Sequence, residues 1–310
     1  MLTGRYTTEE ISPGEYHVFS VEAETFVRKS KFCRIEVLET KAYGRGLFLD
    51  GRLQHIQADE YVFSEAMVHP AMVFLKERCK LALCIGGGPG GICRELLKYP
   101  SIEKVYQVEI DPDVVEVSRK YFSHVSRGSS DDPRCELMIR DGFEFLEQTP
   151  LNFDLVICDL SEPFSGSPAV NFWTEEGMRI IQRKLTPETG MYLTWAGPAN
   201  PHWMELTSRI VFTMGQVFRV HIPYFFYTQT YGASYMVSMG TSRAINPLGE
   251  SPQAIDEYLA KQHVQDLLFY DGVTHYNMFH IPKNTRSKLA DQNRSITLAD
   301  PYYISGFSRE

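Results

Sequence analysis

The stretch from Leu81 to Asp111 constrains the fold more than any other part of the chain. An apolar run, Leu81 to Ile85, ends in five glycines within six residues (Gly86, Gly87, Gly88, Gly90, Gly91), interrupted only by Pro89. A helical spacing follows (Ile92, Leu96, Leu97), then a second apolar run, Val105 to Val108, that ends on Glu109. The order is strand, glycine turn, helix, strand, acid. Glycine permits positive φ and lets a ligand reach the main chain. An acid closing the next strand, about 20 residues on, suits two ribose hydroxyls. The layout therefore points to a ligand that contains a nucleoside. A dinucleotide would rest its diphosphate on the helix N-terminus. Here Pro89 removes one amide from the loop, and Glu95 adds negative charge to the first helical turns. An uncharged or cationic adenosine derivative fits better than a pyrophosphate.

The flanking sequence extends the pattern in both directions. Residues 15 to 57 read as short strands (Tyr16–Val21, Thr25–Phe32, Cys33–Thr40, Gly46–Leu49), with Asp50-Gly51 between apolar runs as a hairpin signal. Such strands are too thin for an independent core, so residues 1–57 are expected to form a small β-domain packed on a larger body, 58–310. Helical spacing from Ala58 to Leu75 opens that body. Pro112 then stands at a first helical position, strands follow at Cys135–Ile139 and Phe153–Cys158, Thr174 caps a helix, and Met191–Trp195 reads as strand. Alternation of this kind predicts an α/β fold, a Rossmann-like doubly wound parallel sheet of the class I methyltransferase type, with ligands outside the carboxyl ends of its strands.

Composition narrows the function by exclusion. At 310 residues with 43% hydrophobic and 23% charged residues, the chain resembles an ordinary soluble protein. No run approaches the length of a membrane span and the first residues lack a leader's apolar core, so a cytoplasmic protein without membrane contact is expected. The net charge of −8 and the absence of a basic stripe argue against nucleic acid. Six cysteines form no Cys-x-x-Cys pair and nine histidines show no ligand spacing, so reduced core thiols and no metal are expected.

Glu109, Asp141 and Asp159 each stand at the end of an expected strand. With an adenosyl sulfonium as ligand, Glu109 would hold the ribose hydroxyls. Asp141, beside Gly142, would accept from the adenine amino group, and Asp159 would lie where a group reacts. Each acid alone has a second, weaker reading as a helix cap or solvated loop residue; three together at one sheet edge are harder to explain that way.

These residues belong to a longer series. Leu47-Phe-Leu-Asp-Gly-Arg-Leu-Gln54, Asp59-Glu60-Tyr61, Gly86-Gly-Gly88, Val108-Glu-Ile-Asp111, Asp132-Pro-Arg134, Asp141-Gly-Phe-Glu-Phe145 and Asp159-Leu-Ser-Glu-Pro163 resemble the spermidine synthase (polyamine aminopropyltransferase) family, in order from about residue 15 onward. Trp195-Ala-Gly-Pro198 and His221-Ile-Pro223 are most similar to its thermospermine and long-chain polyamine branch. The resemblance implies aminopropyl transfer from decarboxylated S-adenosylmethionine to a polyamine amine with release of methylthioadenosine, a homodimer or homotetramer, and no metal. It places the donor at Gln54, the glycine turn (Gly86, Gly87, Gly88 and the position of Pro89), Glu109, Asp141 and Gly142. It makes Asp159 the catalytic aspartate, which would accept the proton of the attacking amine, with Glu162 as the second acidic residue of the motif.

Four departures carry consequences. The glycine turn of the family holds an acid that grips the donor's primary ammonium, and here that position is Pro89. The amine pocket usually presents tyrosine followed by glutamine or histidine, replaced here by Phe63 and Ser64. Glu162 is one methylene longer than the usual aspartate. The segment Tyr224 to Gly232 reads as a long aromatic loop, a lid, an interface or a cation-binding wall that includes Tyr231. Losing the acid at Pro89 opens a second reading, intact S-adenosylmethionine as donor for methyl or aminocarboxypropyl transfer. A third is a catalytically silent paralogue that only binds a nucleoside; the retained pair Asp159 and Glu162 argues against it.

Overall fold

The computed structural model describes residues 4–12, 14–163 and 167–304, so the outer ends of both expected domains lie outside the described residues. Five N-terminal strands form an antiparallel sheet in sequential order: β1 (Arg5–Ser12), β2 (Glu15–Lys29), β3 (Arg34–Thr40), β4 (Gly44–Leu49) and β5 (Arg52–Ile56). β1 was absent from the sequence expectation because Thr7-Thr8-Glu9-Glu10 shows no apolar alternation. It forms by pairing along β2, Arg5 opposite Val21 and Ser12 opposite Glu15. β2 is one strand where two were expected, and irregular registers at Val21/Ala23 and Glu24/Phe26 absorb the break in alternation. Asp50 (φ 50°) and Gly51 (φ 77°) both turn left-handed, as a two-residue hairpin between Leu49 and Arg52 requires.

One face of this sheet buries Phe19, Leu38, Phe48, Leu53 and Ile56. Ile35, Val37 and Leu47 on the other face pack against Val114, Val117 and Phe122 of the larger body. Polar ties reinforce that contact: Ser30 Oγ donates to Asp111 Oδ2 at 2.5 Å, and Arg28 pairs with Asp113 at 2.7 Å.

The larger body begins with α1 (Glu60–Leu75) and continues through β6 (Leu81–Gly86), α2 (Gly91–Leu97), β7 (Lys104–Glu109), α3 (Pro112–Tyr121), α4 (Ser123–Ser126), β8 (Cys135–Ile139), α5 (Gly142–Gln148) and β9 (Leu155–Asp159). There follow α6 (Glu175–Arg183), β10 (Met191–Pro198), α7 (Glu205–Val217), β11 (Val220–Thr228) and β12 (Ala233–Thr241). Pro112 opens α3 behind the capping carboxylate of Asp111, and Thr174 caps α6 by accepting from the Gly177 amide. The seven strands lie in the order β11-β12-β10-β9-β6-β7-β8. The sheet is mixed, which corrects the all-parallel expectation. β10, β9, β6, β7 and β8 are parallel, but β12 runs against both β10 and β11. The cause is a hairpin: residues 224–228, expected as loop, are strand, and the chain turns only at Gln229–Gly232 before returning.

Three further helices follow among the described residues, α8 (Pro252–Lys261), α9 (Gly272–Phe279) and α10 (Lys283–Ala290). The tail beyond them buries Ile296, pairs Asp300 with Arg209 at 2.7 Å, and brings the Ile304 amide to the Pro163 carbonyl at 3.1 Å. Among the described residues no helix is long and apolar enough to cross a membrane.

Candidate active site

The glycine turn and the end of β9 are joined through the main chain. Gly86 pairs with Asp159, and the Gly87 amide donates to the Asp159 carbonyl at 3.1 Å. Gly86 has φ +84°, and a Cβ there would stand 2.1 Å from that carbonyl oxygen. No side chain fits. Gly87 is left-handed too (φ +76°), and a Cβ on it would meet Cys84 Sγ at 2.7 Å. Gly88 passes close to Val114, and Pro89 and Gly90 lead into α2. Glu95 does not charge this turn, contrary to the sequence reading. It is buried between His69 (3.0 Å), Arg94 (2.6 Å) and Lys98 (2.8 Å). Burial alone would raise its pKa, but these cations and the histidine hold it down to about 2.

Outside the turn lies a cavity of about 170 Å³ that brings together Gln54, Gly86 to Pro89, Glu109, Asp141, Gly142 and Asp159. Glu109 Oε1 accepts from the Ile110 and Asp111 amides at 2.8 and 3.1 Å, which fixes the carboxylate at the strand end. Burial pushes its pKa up to about 7 despite those bonds. Asp141 caps α5, accepting through Oδ1 from the Phe143 and Glu144 amides at 2.7 and 3.0 Å. It is therefore a helix cap and a cavity wall at once, with Oδ2 carrying no hydrogen bond among the described residues. Gly142 is needed for closeness: a Cβ would stand 2.6 Å from Ile85 Cγ2. Asp159 differs from the other two acids, because neither of its carboxylate oxygens is hydrogen-bonded among the described residues. Burial, and then the charge of Glu109, push it up to about 7.

Asp159 also borders a second, smaller cavity of about 50 Å³, walled by Glu9, Glu162, Trp195, Tyr231 and Tyr235. Gln54, Phe63, Leu160 and Ser161 line both spaces. Glu162 is engaged by Arg52, whose Nε lies 3.0 Å from it and 3.7 Å from Glu9. Burial raises Glu9 to about 7, against the pull of Arg52. Tyr231 donates to the Gln54 carbonyl at 2.7 Å and stands edge-on to Tyr235 and Phe63. Ser64 does not reach this cavity. It is buried along the first one, and a Cβ on Gly91 would lie 2.3 Å from its Oγ. Sequence reasoning missed Glu9 and Arg52. Glu9 sits in the strand without a pattern, and Arg52 follows a hairpin turn where a solvated arginine is the ordinary reading. Their meeting depends on pairing across 44 residues, the Leu53 amide donating to Glu9 at 3.1 Å.

With this geometry in hand, the chain can be set beside known proteins. Residues 60–248 match the profile of the spermine/spermidine synthase domain, and residues 6–57 that of the spermidine synthase tetramerisation domain. A polyamine aminopropyltransferase of Synechococcus sp. (strain JA-2-3B'a(2-13)) is 34% identical over 302 residues, covering 96% of each chain. One from Sulfolobus acidocaldarius is 30% identical over 296 residues, covering 94% of this chain and 95% of the relative. Among solved structures, a spermidine synthase in complex with the transition-state analogue AdoDATO superposes with a TM-score of 0.83 at 25% identity, covering 94% of this chain and 97% of that one. The spermidine synthase from Thermotoga maritima gives 0.80, with the same identity and coverage. Fold, cavity and sequence agree: the chain belongs to the spermine/spermidine synthase family and is a transferase of the aminopropyltransferase type.

Proposed function

We propose that the enzyme transfers an aminopropyl group from decarboxylated S-adenosylmethionine to an amine of a small polyamine, and that Asp159 accepts the proton released. The observation that carries this reading is the position of Asp159 at the border of both cavities, with its carboxylate unengaged among the described residues. The nucleoside would lie in the larger cavity, its ribose on Glu109 and its adenine beside Asp141 and Gly142, with Gln54 alongside. The acceptor would lie in the smaller cavity among Glu9, Glu162 and the rings of Trp195, Tyr231 and Tyr235, where acids and aromatic faces suit ammonium groups.

The chemistry follows from that arrangement. An unprotonated acceptor nitrogen attacks the propyl carbon attached to the sulfonium. The C–N bond forms as the C–S bond breaks, its electron pair passing to sulfur to give neutral methylthioadenosine. The proton of the new ammonium passes to Asp159, for which a carboxyl group raised toward neutrality is well matched. The N-terminal sheet, which corresponds to a tetramerisation domain, is the part we assign to homo-oligomer formation. Incubation with the decarboxylated donor and 1,4-diaminobutane should yield equal amounts of methylthioadenosine and an amine heavier by one aminopropyl group. Pro89 favours one competing reading, with intact S-adenosylmethionine as donor. An amine heavier by a methyl or aminocarboxypropyl group, formed only from the intact donor, would decide for it.

A further inference from the structure

The turn between β11 and β12 closes the aromatic run that begins at Tyr224, and an acid from another part of the chain holds it in place. Asp59 stands at the N-cap of α1, where an aspartate ordinarily accepts from the first amides of its own helix. Among the described residues it makes no such bond. Its carboxylate is spent on the turn instead. Oδ2 accepts from Thr228 Oγ1 at 2.9 Å and from the Thr230 amide at 3.0 Å, and Oδ1 accepts from Thr230 Oγ1 at 2.5 Å. Both threonines are buried, and hydrogen bonds to a carboxylate are stronger than neutral ones. The turn also closes on itself, the Gly232 amide donating to the Gln229 carbonyl at 3.1 Å. Tyr231 follows Thr230 directly. Its hydroxyl donates to the Gln54 carbonyl at 2.7 Å, and its ring stands edge-on to Phe63 of α1 at 6.5 Å and to Tyr235 at 5.4 Å. Gln54, Phe63, Tyr231 and Tyr235 all wall the smaller cavity. Asp59 is not among the described residues that wall either cavity, so its influence on the site passes through the turn.

We propose that Asp59 is a positioning residue for the acceptor amine: by gripping Thr228 and Thr230 it holds the ring of Tyr231 as a fixed wall of the acceptor cavity, against Gln54 and Phe63. This rests on the acceptor reading given above. The fit of the acceptor is then set where the N-terminal sheet passes into α1, between Gln54 of β5 and Asp59. The clamp bears on the acceptor and leaves the nucleoside site alone.

The test separates the acceptor from the nucleoside. Thr230→Val keeps the shape and loses the hydroxyl that donates to Asp59, Thr230→Ser keeps that hydroxyl, and Asp59→Ala removes all three bonds. In Thr230→Val and Asp59→Ala, KM for 1,4-diaminobutane should rise about tenfold, the scale of one hydrogen bond to a charged group. Turnover at saturating diamine and calorimetric affinity for methylthioadenosine should both stay within about twofold, the pattern of lost acceptor binding. Thr230→Ser should return KM to within about twofold of the wild type. A general loosening of the fold would weaken both ligands, so equal losses would overturn the proposal, as would an unchanged KM in Thr230→Val. Where Asp59→Ala fails to fold, the two threonine variants decide. Once Tyr231→Ala has removed the wall, adding Thr230→Val should raise KM by less than about twofold; a further rise of about tenfold would show that the clamp acts elsewhere and overturn the proposal. A wild type that binds methylthioadenosine and the decarboxylated donor but turns over no diamine would overturn the acceptor reading, and this inference with it. Normal turnover with KM unmoved in the variants overturns this inference alone.

Discussion

Replacing Glu109 by glutamine separates the two carboxylates that meet at the strand ends. Glutamine keeps the oxygen that accepts from the Ile110 and Asp111 amides, so the local turn should survive while the charge is removed. The first consequence is on the ligand. A charge-assisted bond to the ribose contributes about 1–3 kcal/mol, and methylthioadenosine should bind roughly 5- to 150-fold more weakly. The second falls on Asp159. It stands at about 7 against an ordinary 3.8, with burial the larger cause and the charge of Glu109 the smaller. Without that charge its pKa should fall, yet stay well above 3.8 because the burial remains. A protonated Asp159 cannot accept a proton, so activity declines as pH drops. The acid limb of kcat/KM, which reports on the free enzyme, should lie near 7 in the wild type and at lower pH in the variant. In the wild type that limb belongs to the interacting pair. A limb that does not move would show that the two acids do not sense each other. One that fell to about 4 would make Glu109, and not burial, the main cause. Unchanged affinity for methylthioadenosine would take Glu109 out of the ribose site.

Asp159→Asn keeps the shape and loses the base, so turnover should fall by about a hundredfold or more with methylthioadenosine binding intact by calorimetry; normal turnover would move the proton to another acceptor. Pro89→Asp should shift the ratio of affinities toward decarboxylated over intact S-adenosylmethionine by about tenfold, because the new acid attracts an ammonium and repels a carboxylate. An unchanged ratio would show that the donor's tail lies elsewhere. Thermal melts of the ligand-free protein should lose stability as pH rises from about 4.5 to about 7. Glu9, Glu109 and Asp159 are all raised to about 7, so across that window the folded state holds protons that the unfolded chain has released. A midpoint that climbs over the same range would contradict those raised values.

The parts of this fold that were legible are those dictated within about 30 residues. The run from Leu81 to Glu109 announces itself because glycine, helical spacing and the apolar strands are all local signals. Pro112, Thr174 and Asp50-Gly51 mark their boundaries for the same reason. What was not legible depends on distant partners. β1 becomes a strand through β2, and the aromatic run from Tyr224 becomes one through β12; neither shows the alternation that a strand with one wet face would carry. Glu95 looked like charge on the donor site until His69, 26 residues away, claimed it. Glu9 reaches the second cavity, and Arg52 its acids, only after the N-terminal sheet has assembled.

The contact between Gly86 and the Asp159 carbonyl has one more consequence. The strand that carries the glycine turn and the strand that carries Asp159 share a backbone joint, with too little room between them for a single methyl group. On the roles proposed for these residues, the sheet itself would set how far the base stands from the donor's turn. A substitution at Gly86 would spread that joint and slow the reaction even where donor affinity survived. Kinetic defects mapped to the glycine turn would then report on alignment between two substrates as much as on the binding of one.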